Sequence, residues 1–173
     1  PQEFQQFNPF FVVALTPFSL LLFTSLAKKG KEPSAPRKIA IGMLVAAVAY
    51  CIMTVGSIGM PTPADLKADA SLLSNPASPN LLISTYLVLT FAELLLSPMG
   101  ISFVSKVAPP KLKGAMMGGW FAATAVGNYA VQVTGRLWGD LPLVAIWGIL
   151  IGLCVAAAIF MFSIMKRLER VCN

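Results

Sequence analysis

The run from Leu81 to Val104 stays apolar for the length of a bilayer crossing and is broken by a single carboxylate, Glu93. About 20 apolar residues span a hydrocarbon core, so a segment of this kind belongs in a membrane. An ionised acid at the centre of such a helix costs roughly 2.5–3.5 kcal/mol. Chains keep one where it faces protein or a watery cavity, which makes Glu93 a candidate for the wall of a pathway or binding site. The alternative is a neutral, hydrogen-bonded glutamic acid that only fastens helices.

Composition supports the membrane reading. Of 173 residues, 57% are hydrophobic and 12% charged, about half the charged share of a soluble domain. There is no histidine, so histidine acid–base chemistry and most metal sites are excluded. Cys51, Cys154 and Cys172 follow no metal spacing and read as free thiols. Intramembrane hydrolysis needs an acid pair, a dyad or a metal. One membrane carboxylate offers none of these, so no enzyme is expected. No channel filter motif is visible either.

The hydropathy pattern predicts an all-α integral membrane bundle of five helices, at about 5–26, 39–59, 81–105, 114–134 and 143–165. Pro17 kinks the first, and Pro98 bends the third. Residues 27–38 form a loop punctuated by Gly30, Pro33 and Pro36. Residues 60–80, with four prolines, form an exposed loop with room for a short turn; 106–113 form a tight basic turn; 135–142, with Asp140, form a short loop. Of the 13 Lys and Arg, five lie in the first loop, three in the third and three in the tail, leaving Lys67 and Arg136. With five spans those three segments share one side. The positive-inside rule then places the C-terminal tail in the cytoplasm and explains the net charge of +6 without nucleic acid. Nothing at the start reads as a signal peptide. A start at Pro1 with an odd number of spans suggests a piece of a longer polypeptide.

At 100° per residue, Glu93, Ser97 and Gly100 share one face. In the next span Trp120, Thr124, Asn128 and Gln132 form a winding polar stripe beside Gly114, Gly118, Gly119, Ala123 and Gly127. The glycines read as helix packing, and the polar residues either bond to other helices or line a cavity. Trp120 lies deeper than an interfacial tryptophan and suits the wall of a pocket, whereas Trp138 and Trp147 read as interfacial or packing residues. Asn8, before Pro9, is either a helix cap or a cavity amide. A midplane acid among proline- and glycine-marked helices is what a transporter needs.

Four stretches carry a resemblance. They are Phe4-Gln5-Gln6-Phe7-Asn8-Pro9, Gly30-Lys31-Glu32-Pro33-Ser34-Ala35-Pro36-Arg37-Lys38, Glu93-Leu94-Leu95-Leu96-Ser97-Pro98-Met99-Gly100 and Lys113-Gly114-Ala115-Met116-Met117-Gly118-Gly119-Trp120-Phe121. In register and over nearly the whole chain, they resemble the C-terminal half of the proton-dependent oligopeptide transporter family, within the major facilitator superfamily. The resemblance implies helices eight to twelve of a twelve-helix core, and import of di- and tripeptides with protons by alternating access. It implies no cofactor beyond the coupling protons. It assigns Asn8 and Glu93 to the peptide amino terminus and Trp120 to the pocket border, with Ser97 as a neighbour. It also assigns closure of the cytoplasmic side to the hairpin Ser97–Phe121.

The implied partners are the peptide, the lipid bilayer and the missing N-terminal half, with no nucleic acid. The family's coupling acids and arginine on its first helix, and its fourth-helix lysine, have no counterpart here. Residues 60–80 lack the large domain of animal members, which points to a bacterial inner membrane. Two rival readings are a relative carrying nitrate or another small solute, and a non-transporting scaffold with Glu93 as a packing acid. A carboxylate aimed at the ligand argues against an anion.

Overall fold

A computed structural model describes residues 6–69, 78–138 and 141–172, the side chains at 63, 64, 68, 171 and 172 excepted. Regular structure among the described residues is helical: α1 Phe7–Lys28, α2 Ala35–Gly56, α3 Pro63–Ala68, α4 Pro79–Val107, α5 Lys113–Leu137 and α6 Leu143–Cys172. The expected all-α bundle is therefore what forms. Gln5, Pro76 and Asp140 lie outside the described residues, as does the side chain of Cys172; Cys51 and Cys154 are free thiols.

Helix boundaries follow local chemistry. α1 ends in a Schellman turn, with Gly30 at φ +63°. There Gly30 N–H bonds to Ala27 O at 2.9 Å and Lys31 N–H to Leu26 O at 3.0 Å. α2 starts at Ala35, four residues earlier than expected, because Pro36 suits a helical first turn that lacks carbonyl partners anyway. Pro79 likewise opens α4 two residues early. Inside the expected 60–80 loop, Thr62 and Asp65 cap each other's backbone and start the short α3.

α2 is the centre of the bundle, packed along α4 on one side and α6 on the other, while α1 lies on α4. Small residues permit this: Ala40, Ala46, Ala47 and Ala49 of α2 are buried. A Cβ on Gly42 would meet Leu95 Cβ at 3.0 Å and the Ala92 carbonyl oxygen at 3.1 Å. α2 and α6 run antiparallel and are tied at both ends. At the basic end Ser34 donates to Glu169 at 2.6 Å and Arg37 pairs with Glu169 at 2.8 Å. At the other end Trp147 Nε1 donates to the Ser57 hydroxyl at 3.0 Å and stacks on Tyr50, with Trp138 edge-on to it.

Among the described residues four helices, α1, α2, α4 and α6, are long and apolar enough to cross a membrane. α5 is not, which departs from the expected five apolar spans. Its 25 residues suffice in length, but glycines and the stripe Thr124, Asn128 and Gln132 lower its apolar character. Connectivity still makes it a return crossing. α4 and α6 both run antiparallel to α2, so α5 must carry the chain back from the Val107 end to the Leu143 end. It buries no residue and packs chiefly on α4.

Candidate functional site

Glu93 is the middle residue of the 29 in α4. Ala92, Leu94 and Leu95 are buried, whereas Glu93 and Ser97 are exposed. The cause is the close approach at Gly42, which commits the Ala92–Leu95 side of α4 to α2. Glu93 and Ser97 are thereby turned away from the core.

α1 supplies the partner. Gln6 holds its N-cap position without a side-chain bond, so Asn8 is not a cap. Its carboxamide instead reaches α4. Asn8 Nδ2 donates to Glu93 Oε2 at 3.4 Å, and Asn8 Oδ1 accepts from Thr90 Oγ1 at 2.8 Å. The first bond is long for its type and the second is ordinary. Thr90 is absent from the sequence expectation, although its position three residues before Glu93 on the same helical face was a usable signal.

Trp120 meets the stripe at its other end. A Cβ on Gly100 would fall within the Trp120 indole, so the ring lies directly on that glycine. Gly100 is two turns from Glu93, about 10 Å along the axis, with Ser97 between. The structure thus joins Asn8 to Glu93 and sets Trp120 against Gly100 on the same face of α4.

Among the described residues nothing packs on the α5 glycines, for which a packing role is expected. A Cβ at Gly114, Gly118, Gly119 or Gly127 would have nothing within 4 Å among the described residues. The reason is position: α5 is an outer helix held through its Trp120 side. Close helix approach falls instead to Gly42, Gly56 and Gly100. Thr124 donates to the Trp120 carbonyl at 3.0 Å, on its own helix rather than to another.

A groove of about 580 Å³ runs between α1 and α4 toward the basic end, past Thr16, Phe23 and Pro98 to Glu32 and Lys38. None of Asn8, Glu93, Ser97 or Trp120 lines it. The site is therefore an open face of the α1–α4 pair, and not this groove. Chemically, that face offers carboxylate oxygens and an amide oxygen with one lone pair to spare. Such a pair of acceptors suits a cationic donor and repels an anion.

The sequence pattern of the POT family fits residues 1–144. The chain is 34% identical over 174 residues to peptide transporter YePEPT of Yersinia enterocolitica subsp. palearctica, covering 95% of this chain and 32% of that protein. It is 33% identical over 138 residues to dipeptide and tripeptide permease B of Salmonella typhimurium, covering 78% and 26%. The chain thus spans about a third or less of the length of these curated relatives. Among solved structures, peptide transporter POT in complex with sulfate matches with a TM-score of 0.78 at 25% identity, over 96% of this chain and 31% of that one. An auto inhibited POT family peptide transporter matches with a TM-score of 0.71 at 28% identity, over 94% and 32%. Family pattern, curated relatives and helix arrangement agree across nearly the full length, and the chain belongs to the POT family.

Proposed function

We propose that this chain forms the C-terminal part of a proton-coupled importer of di- and tripeptides, with Asn8 and Glu93 receiving the peptide amino terminus. The observation that carries the reading is the Asn8–Glu93 pair, an amide and a carboxylate from two helices joined by a 3.4 Å bond. A bond that long is weak, and an incoming ammonium can replace it. The ammonium has three protons to donate, and the carboxylate oxygens and the spare lone pair of Asn8 Oδ1 accept them. Charge-assisted bonds of this type are about twice as strong as neutral ones. Ser97 and Trp120, farther along the same face, border the peptide. Relatives named as a peptide transporter and a dipeptide and tripeptide permease support the substrate class.

Protons are the coupling ion in this reading, and neither a cofactor nor catalysis is involved. The basic end of the bundle, with the C-terminus, faces the cytoplasm of a bacterial inner membrane. Access alternates by rocking of these helices against the N-terminal half. The α4–α5 hairpin, clasped where Trp120 lies on Gly100, moves as one body to close the cytoplasmic side.

The test is thermal stability, in detergent, of a full-length transporter carrying this segment. Small peptides, free amino acids and nitrate are compared, since a ligand of the folded state raises the melting temperature. Di- and tripeptides are expected to stabilise it. Glu93→Gln is expected to weaken binding of free-amino dipeptides by about tenfold or more, and that of N-acetylated ones far less. Equal weakening of both removes Glu93 as the amino anchor, and stabilisation by nitrate alone moves the substrate to an anion.

A further inference from the structure

Five threonines of the long helices, Thr16, Thr24, Thr54, Thr85 and Thr124, donate their hydroxyl to the carbonyl four residues back on their own helix. This is the local default for a helical threonine. Thr90 departs from it. Only 1% exposed, it donates across the helix boundary to Asn8 Oδ1 at 2.8 Å. We propose that Thr90 is a positioning residue of the site, whose hydroxyl fixes the Asn8 carboxamide so that Nδ2 faces Glu93.

The physical need comes from the near symmetry of a carboxamide. Turned over, it would exchange oxygen for nitrogen with little change in shape, and Oδ1 would then oppose the Glu93 carboxylate, acceptor against acceptor. Glu93 can only accept, which turns Nδ2 toward its Oε2, and Thr90, donating to Oδ1, completes that orientation and holds the carboxamide in place between the two helices. The carboxylate is thereby oriented before ligand arrives, and the ordering cost falls on folding instead of binding. The consequence for substrate rests on the peptide reading above; the orientation of the carboxamide does not.

Valine has the shape of threonine without the hydroxyl, so Thr90→Val in a full-length transporter carrying this segment is the informative variant. A cross-helix hydrogen bond of this kind in a membrane sets the scale. Thr90→Val is expected to weaken Ala-Ala binding by roughly 3- to 10-fold, and N-acetyl-Ala-Ala binding less. Thr90→Ser, which keeps the hydroxyl, is expected to restore most of the affinity. In an Asn8→Ala background Thr90→Val is expected to add nothing, because a residue acting through another shows no separate effect.

Isotope-edited infrared spectroscopy gives a readout that needs no substrate. The Glu93 carboxylate stretch is expected to shift in Thr90→Val and in Asn8→Ala, and to return in Thr90→Ser. An unshifted band in Thr90→Val, or a loss of affinity that persists in the Asn8→Ala background, overturns the positioning role. If the parent protein ignores both dipeptides while the band still shifts with Thr90→Val, the peptide reading fails and the positioning role stands.

Discussion

Lys38 and Glu93 are both charged residues in apolar helices, and their surroundings separate their roles. Lys38 is 5% exposed in the first turn of α2, at the helix end whose dipole disfavours a cation. Its ammonium is paired with Glu32 and lies 4.2 Å from the centre of the Phe23 ring, which offsets that disadvantage. The two partners are unequally wet, because the Glu32 side chain is 40% exposed. Glu32→Gln strands a buried ammonium and is expected to destabilise by about 1–3 kcal/mol, whereas Lys38→Met leaves a carboxylate that water can solvate and is expected to cost less than about 1 kcal/mol. Thermal unfolding in detergent measures both, and the reverse order would mean that water reaches Lys38. In the sequence Lys38 reads as one more topology charge of a basic loop. Its burial depends on α2 starting at Ala35, which only the packed structure reveals.

At the scale of elements, the α4–α5 hairpin is clasped where Trp120 lies on Gly100. Gly100 leaves room for the Trp120 indole, and a methyl group there must displace the ring or force the helices apart. Gly100→Ala is expected to cost about 1–3 kcal/mol by overpacking. In a full-length transporter carrying this segment, with every tryptophan but Trp120 replaced by phenylalanine, it is expected to shift Trp120 emission to the red as the ring leaves its seat. Unchanged emission would mean that the ring is not seated on Gly100. The stripe Glu93, Ser97 and Gly100 was legible from helical periodicity. The docking of Trp120 on it was not, because Gly100 and Trp120 are on different helices and nothing in their local sequence encodes the distance between them. The α5 glycines show the converse: their spacing matches a packing motif, yet packing is decided by what lies opposite.

The whole bundle is organised by α2, braced against α6 through Glu169 at one end and Trp147 at the other. Lys28, Lys111 and Arg170 then belong to one end, and the exposed Lys67 of α3 to the opposite one. The proposed orientation is tested by single cysteines in a background without the native thiols. Cysteine at position 67 is expected to react with an impermeant maleimide in intact cells, and cysteine at position 111 only after lysis. The reverse pattern inverts the bundle.

Hydropathy and charge, read along the chain, already determined an all-helical membrane bundle, its basic end and the singular acid. Each follows from one-dimensional physics, namely the transfer of apolar segments into lipid and the bias of cations to one side. The four quoted stretches determined the family. Tertiary structure alone decided which groups meet Glu93. Asn8 is 85 residues away in sequence, and its apposition depends on the parallel seating of α1 on α4. The same packing brought in Thr90, whose hydroxyl has a carbonyl within reach on its own helix and bonds to another helix only because that helix is there.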